Sequence, residues 1–501
     1  MAGYYVENFG CRATQADGAA LERQFEEQGY TRAGAAAEAA VVVLNTCTVT
    51  ASADQDARAA IRRVRRQNPG ARIVVTGCYA QRAPEEIAAL PGVHLVVGNS
   101  HKHELAEIVI SGQQSSDLRL QASNVAPQTS GTTFIPLSTL RTASAPLYVS
   151  DIFAHTELLA APVFDAANER TRPNLKIQDG CDNRCSFCVI PFVRGQSRSL
   201  EMGRIIGEIQ TLVDAGYREV VISGINLGRW GRDLASGVRL AALGSRDSGS
   251  DPRGDSSPAR ADTRSGTPRF EDMVRTILAE TSLEKLRISS VEPMDWSDEL
   301  IALVARSPRI AKQAHVPMQS GSDAVLRRMH RKYRPWHYRE KIEKIRAAMP
   351  RAAIGADVMV GFPGESEAEF EATRRMVDEL PFTYLHVFTY SARPGTAAAG
   401  MAGQVPVQVA RERNRVLREM ASAKKLVFMQ GFVGGEVEAI TLKEEAAGEG
   451  ACATPFTEGL TDNYLKLRLR GQHEANRWVR ARVDGVVDGA LVGNVEPTNA
   501  A

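Results

Sequence analysis

Three cysteines in Gly180-Cys181-Asp182-Asn183-Arg184-Cys185-Ser186-Phe187-Cys188 put three thiolates in one loop, one short of a closed four-ligand metal site. Thiolates select soft metals, and cysteines two to four residues apart typically hold iron–sulfur clusters. A structural zinc site takes a fourth Cys or His at knuckle spacing, and residues 189–230 contain neither. The donor set therefore favours a [4Fe–4S] cluster with one open iron over a zinc or disulfide loop, and the open position is left for chemistry. Three more cysteines each follow an apolar, strand-like run: Phe9-Gly10-Cys11, Asn45-Thr46-Cys47-Thr48 and Thr76-Gly77-Cys78-Tyr79. Strand ends of a parallel sheet share one edge, so these thiols could meet around a second cluster. Taken singly, each reads as readily as a buried structural cysteine. Cys452 has no matching partner motif.

The elements that must position these cysteines follow from periodicity. Up to residue 111, the runs Tyr4 to Asn8, Val41 to Leu44, Ile73 to Val75 and Leu95 to Val97 alternate with amphipathic stretches such as Ala16 to Gln28 and Ala53 to Gln67. That alternation predicts an α/β domain with a parallel sheet. Residues 112–172 are mixed in Ser, Thr, Ala and Pro and read as a linker, with Pro146 to Leu159 a candidate strand or helix within it. From 173 to 430, strand-like runs at Leu175 to Ile177, Glu219 to Ile225, Lys285 to Val291, Ala314 to Met318, Gly355 to Gly361 and Tyr384 to Tyr390 are separated by helical patterns. Six βα units predict a partial (β/α)6 barrel, with its chemistry at the C-terminal strand ends where the cysteine loop falls. Residues 235–268, rich in Gly, Ser, Asp, Arg and Pro, read as a disordered insertion. Residues 431–499 hold short strands and Gly turns and predict a small all-β barrel.

At 501 residues the chain is long enough for about three domains. Its 61 basic and 59 acidic residues give no global polyelectrolyte signal, so a nucleic-acid surface must be a local patch. Lys466, Arg468 and Arg470 alternate along one predicted strand and share a face, which makes them the candidate RNA surface. No run of eighteen apolar residues occurs and no basic, apolar leader opens the chain, so a cytoplasmic protein is expected, with neither membrane nor DNA as partner. Seven cysteines, sparse and odd in number, suit a reducing compartment.

The CxxxCxxC loop resembles the signature of the radical S-adenosylmethionine (SAM) superfamily. The order of three-cysteine domain, barrel and small β-barrel resembles the methylthiotransferases within it, whose β-barrel is the RNA-associated TRAM domain. Leu175 to Cys181, His315-Val316-Pro317-Met318-Gln319-Ser320-Gly321-Ser322-Asp323 and Val360-Gly361-Phe362-Pro363-Gly364-Glu365 are similar to general blocks of that family. Asn45 to Thr50 and Thr76 to Gln81 resemble the branch acting on N6-threonylcarbamoyladenosine in tRNA, while Thr14 stands where the family commonly has Asn.

The resemblance implies that Cys181, Cys185 and Cys188 hold a [4Fe–4S] cluster that reductively cleaves SAM. It implies that Cys11, Cys47 and Cys78 hold a second [4Fe–4S] cluster that carries or supplies the sulfur. A radical would then remove hydrogen from carbon 2 of the adenine, a C–H bond with no useful acidity, and a methylthio group would replace it. Ser223 and Gly224 are placed to meet the SAM amino group, and Gln319, Ser320, Gly361 and Glu365 to meet its ribose and adenine, with turn formation as the competing reading. Arg194 and Arg198 read as ligands of SAM carboxylate or RNA phosphate, or as solvated charges. The implied partners are the tRNA anticodon stem-loop and a one-electron reductant such as flavodoxin or ferredoxin. Competing substrates are N6-isopentenyladenosine in tRNA and a ribosomal-protein aspartate. A reading of another class is a non-catalytic iron–sulfur RNA-binding regulator.

Overall fold

The computed structural model describes residues 2–111, 145–155, 158, 172–234, 267–443 and 456–496. Most of the expected linker and insertion, together with Cys452, lie outside the described residues. The chain divides into two compact units, each built from several stretches. One comprises Met1–Val163, Gly180–Gln196 and Ser391–Gly400, the other Phe164–Asp179, Ser197–Tyr390 and Met401–Ala501.

In the first unit, β1 (Gly3–Asn8), β2 (Thr31–Arg32), β3 (Val41–Thr46), β4 (Arg72–Gly77), β5 (Val93–Val97) and β6 (Leu147–Tyr148) form a parallel sheet in the order β2-β1-β3-β4-β5-β6. The strand β3 is buried on both faces, which is why it reads as an unbroken apolar run rather than an alternating one. Val42 and Leu44 pack with Ala57, Ile61 and Val64 of α2 (Ala51–Gln67). Val41 and Val43 pack on the other face with Leu21 and Phe25 of α1 (Arg12–Glu27). The edge strand β6 comes from the stretch read as linker and falls within Pro146 to Leu159, the part of it read as a candidate strand or helix.

In the second unit, β7 (Asn174–Asp179), β8 (Arg198–Ser199), β9 (Glu219–Gly224) and β10 (Lys285–Ile288) form a sheet in the order β10-β9-β7-β8. A second sheet, β11 (Gln313–His315), β12 (Ala353–Val360) and β13 (Tyr384–Thr389), is parallel throughout. Single bridges from Leu286 to Ile310 and from Ser290 to His315 join the two sheets, giving the partial barrel. The expected strand Ala314 to Met318 is shortened in regular form to β11. Val316 and Met318 N–H still donate to Gly355 and Asp357 carbonyls, and Pro317 between them has no N–H to give.

Five further strands, β14 (Glu436–Thr441), β15 (Phe456–Thr461), β16 (Lys466–Arg470), β17 (Trp478–Val487) and β18 (Ala490–Val495), close into a barrel in the order β14-β15-β16-β18-β17. The strand β15 escapes a pattern search because Glu458, Gly459 and two threonines dilute its apolar content. This barrel seats on the base of the larger one. The buried Arg287 of β10 bonds Glu219, Gln313 and the carbonyls of Thr461 and Asp462, and lies over the Tyr464 ring.

Candidate iron–sulfur sites and the barrel lumen

The adjacent strands β1, β3 and β4 end together, with Asn8 opposite Asn45 and Thr46 opposite Gly77. Cys47 and Cys78 are the next residues along β3 and β4, and Cys11 follows β1 by three. Sheet register therefore sets the positions of all three. Gly10, at φ 103°, passes so close to Cys47 that a β-carbon there would lie 2.6 Å from Cys47 Cβ and 2.9 Å from its Sγ. Burial pushes the Cys47 thiol up to about 12. Cys78 and Cys11 add to the rise as like charges, against a backbone bond from Val49 and the Arg194 guanidinium. Three thiols at the ends of adjacent strands, with the Arg194 guanidinium near Cys47, fit iron–sulfur ligation, in which bound iron removes the protons.

Buried polar groups hold the rim of this triad. Asn45 Nδ2 donates to Asn8 Oδ1 at 2.9 Å and to the Thr14 carbonyl at 2.8 Å. The Asp17 carboxylate is shared by Lys102 at 3.1 Å and Arg194 at 2.9 Å, all three deeply buried. Arg194 is thus an internal ion-pair partner, not a solvated charge. Beside Cys47, Thr48 Oγ1 donates to Asp54 at 2.6 Å, and Asp54 also holds Arg82 and Arg393.

The loop triad lies in the same unit. Its backbone is tied by Cys181 N–H to Gly195 O at 3.0 Å and Cys188 N–H to Cys185 O at 3.1 Å. The Asn183 N–H lies 3.4 Å from Cys181 Sγ, the kind of N–H···S contact that tunes a cluster. All three cysteines are half-buried, leaving the approach a cofactor needs. Val193 of the helix Ile190–Arg194 and Val189 just before it pack against Cys78, and Asn99 bonds both Val193 O and Cys78 Sγ. Both cysteine sets belong to one packed body.

Two family models match the chain: Uncharacterized protein family UPF0004 over residues 3–98 and the Radical SAM superfamily over 175–377. The chain is 35% identical to the threonylcarbamoyladenosine tRNA methylthiotransferase MtaB of Bacillus subtilis, covering 95% of this chain and 92% of that one. It is 32% identical to the MtaB of Aquifex aeolicus over 95% and 99% of the two chains. It is 31% identical to the tRNA-2-methylthio-N(6)-dimethylallyladenosine synthase of Saccharopolyspora erythraea over 97% and 85%. The chain belongs to the radical SAM methylthiotransferase family.

For a methylthiotransferase, SAM and [4Fe–4S] clusters are the cofactors its cysteines must serve. Among the residues read as SAM contacts, all in the second unit, Ser223 is buried and its Oγ has no hydrogen-bond partner among the described residues, which fits a ligand donor or acceptor. Gly224 ends β9 opposite Gln178. Gln319 takes a left-handed φ of 64°, its N–H donating to Asp357 O and its carbonyl accepting from Met359. Ser320 Oγ lies 3.1 Å from Thr373 Oγ1 and accepts from Ser322 N–H, so it builds the turn. Glu365 accepts from Gly361 N–H at 2.7 Å and Arg413 at 2.8 Å through Oε2, and its buried Oε1 has no partner among the described residues.

Lys466, Arg468 and Arg470 do share the outward face of β16. Arg468 lies 3.4 Å from Asp488 and Arg470 3.7 Å from Asp484, which trims the stripe's net charge. One group escaped the sequence reading: His315, Asp357 and His386 meet on the inner face of β11, β12 and β13. They are too far apart in sequence to form a motif, and the only signal was their alternation on three strands already recognised. Among the described residues, no helix is long and apolar enough to cross a membrane.

Proposed function

We propose that Cys181, Cys185 and Cys188 carry the SAM-cleaving cluster and Cys11, Cys47 and Cys78 the sulfur-bearing one. The chain is a tRNA methylthiotransferase that acts on carbon 2 of N6-threonylcarbamoyladenosine next to the anticodon, giving 2-methylthio-N6-threonylcarbamoyladenosine. The observation that supports these roles most is the convergence of the dispersed cysteines in the compact unit that also holds the loop triad.

When bound, the clusters supply the electron for SAM cleavage and the sulfur for transfer. The chain's own part is to hold and exclude. The helix Ile190–Arg194 braces the loop triad, while Asn45, Asp17 and Asp54 fix the strand ends that carry the other. Ser223 Oγ and Glu365 Oε1 offer acceptors for SAM, and Gln319, Ser320, Gly224 and Gly361 shape the turns around it. The β16 stripe supplies phosphate contacts to the anticodon stem-loop. A flavodoxin or ferredoxin in the cytoplasm serves as the electron donor.

The test is nucleoside mass spectrometry of tRNA from a host lacking this modification, with and without the chain expressed. The 2-methylthio form of threonylcarbamoyladenosine is expected. If the protein is produced with iron and the nucleoside is absent, or only the isopentenyl form changes, the reading is wrong.

A further inference from the structure

The inner face of β13 carries an aromatic ladder. Tyr384, His386 and Phe388 alternate along the strand, with ring centroids 5.5 Å and 6.5 Å apart. The intervening Val387 is buried, and its carbonyl accepts from Asn414 of the helix Val407–Gln430. The ladder therefore faces the lumen, away from the helices.

The lower rung is locked. Tyr384 Oη accepts from Gln313 at 2.7 Å and lies 3.2 Å from His315 Nδ1. Its ring packs beside Tyr464 and over Gly355, where a β-carbon would collide at 2.1 Å. The upper rungs are open, with His386 exposing 55% of its side chain and Phe388 47% exposed. They approach the C-terminal strand end, where parallel barrels do their chemistry.

His386 is also oriented. Its Nδ1 lies 3.2 Å from Asp357 Oδ1, and His315 Nε2 reaches the same oxygen at 3.1 Å. Burial works against the Asp357 charge, but the two imidazole bonds outweigh it and hold the carboxyl well below the usual range. An ionised carboxylate only accepts, so the Asp357 bond holds a proton on His386 Nδ1 and turns Nε2 away from it; in the tautomer that carries its one proton on Nδ1, Nε2 is an acceptor. An exposed phenyl ring beside a fixed acceptor is how single-stranded RNA bases are read, by stacking plus an edge hydrogen bond.

Resting on the proposed function, we infer that Phe388 stacks on the target adenine and that His386 Nε2 accepts from an N–H of its N6 substituent, making His386 a residue that selects a carbamoylated over a hydrocarbon substituent.

The test is steady-state kinetics of the loaded enzyme on two anticodon stem-loop RNAs, one with threonylcarbamoyladenosine and one with isopentenyladenosine. Phe388→Ala should raise KM for RNA about tenfold, more than it lowers kcat. His386→Leu should reduce the preference for the threonylcarbamoyl RNA about tenfold or more, and His386→Gln, which keeps an acceptor, should restore part of it. Iron content and unfolding midpoint matching the wild type establish that the variants are folded. An active wild type with unchanged KM and preference in both variants overturns this inference alone. A rise confined to the KM for SAM, or saturable Mn(II) binding to the wild type that Asp357→Asn abolishes, overturns it in favour of the cofactor's adenine or of a metal site. A wild type that modifies neither RNA refutes the proposed function, and the inference with it.

Discussion

The two cysteine triads of the first unit are built in opposite ways. Cys181, Cys185 and Cys188 are gathered by eight residues of loop, whereas Cys11, Cys47 and Cys78 span 68 residues and come to one sheet edge only because three parallel strands end in register. A local triad is gathered by its own backbone and needs only the short helix Ile190–Arg194 to brace it. A dispersed triad requires the whole sheet, and long-range parallel pairing must overcome loop-closure entropy before it forms. The first should tolerate damage to the N-terminal core, and the second should not.

The largest effect that breaks this symmetry is expected at Asp17. Asp17→Asn takes away the carboxylate that Lys102 and Arg194 share, and breaking a buried pair costs about 3–5 kcal/mol. Chemical unfolding should show the loss, and iron per reconstituted chain should fall from about eight toward four as only the loop triad fills. Iron that stays near eight would mean that the dispersed triad does not depend on this buried pair.

The contrast also sets what could be read from the chain. The loop triad was legible from spacing alone, because its geometry is local. The dispersed set was legible only through the strand pattern that precedes each cysteine, and the structure adds the register that brings them together. Arg194 could not be read, since nothing in Arg194-Gly195 announces a carboxylate 177 residues away. Nor could the assignment of Ser391–Gly400 to the first unit, which rests on Arg393 meeting Asp54 and on Ala398 N–H donating to Ser186 O. Within the second unit, β15 hid behind its polar residues and the His315–Asp357–His386 group behind its sequence separation.

A smaller effect is expected from Asn45→Ala, which removes bonds to Asn8 and Thr14 and leaves Lys102 short of an acceptor, at about 1–3 kcal/mol. Cluster absorbance should be lost preferentially in this variant, with the loop triad's SAM cleavage retained. Gly10→Val should act in the same direction, since a left-handed valine costs roughly 1–3 kcal/mol before its collision with Cys47.

The smallest effect sharpens the comparison from the second unit. Because Asp357 is held below its ordinary pKa, its stabilisation is complete above the unfolded value and is lost as pH falls through the folded one. Asp357→Asn should therefore flatten the acid side of the stability curve without changing iron content. An unchanged acid limb would show that the two imidazoles do not favour its charge.

The most direct test of the division of labour is to quantify 5′-deoxyadenosine and methylthiolated nucleoside together for the wild type, Cys181→Ala and Cys47→Ala. All three would receive dithionite, SAM and a threonylcarbamoyladenosine stem-loop. The wild type should make both products, Cys181→Ala neither, and Cys47→Ala 5′-deoxyadenosine alone. Methylthiolated product from Cys47→Ala, or loss of 5′-deoxyadenosine in it as complete as in Cys181→Ala, would contradict the assignment of separate tasks to the two triads.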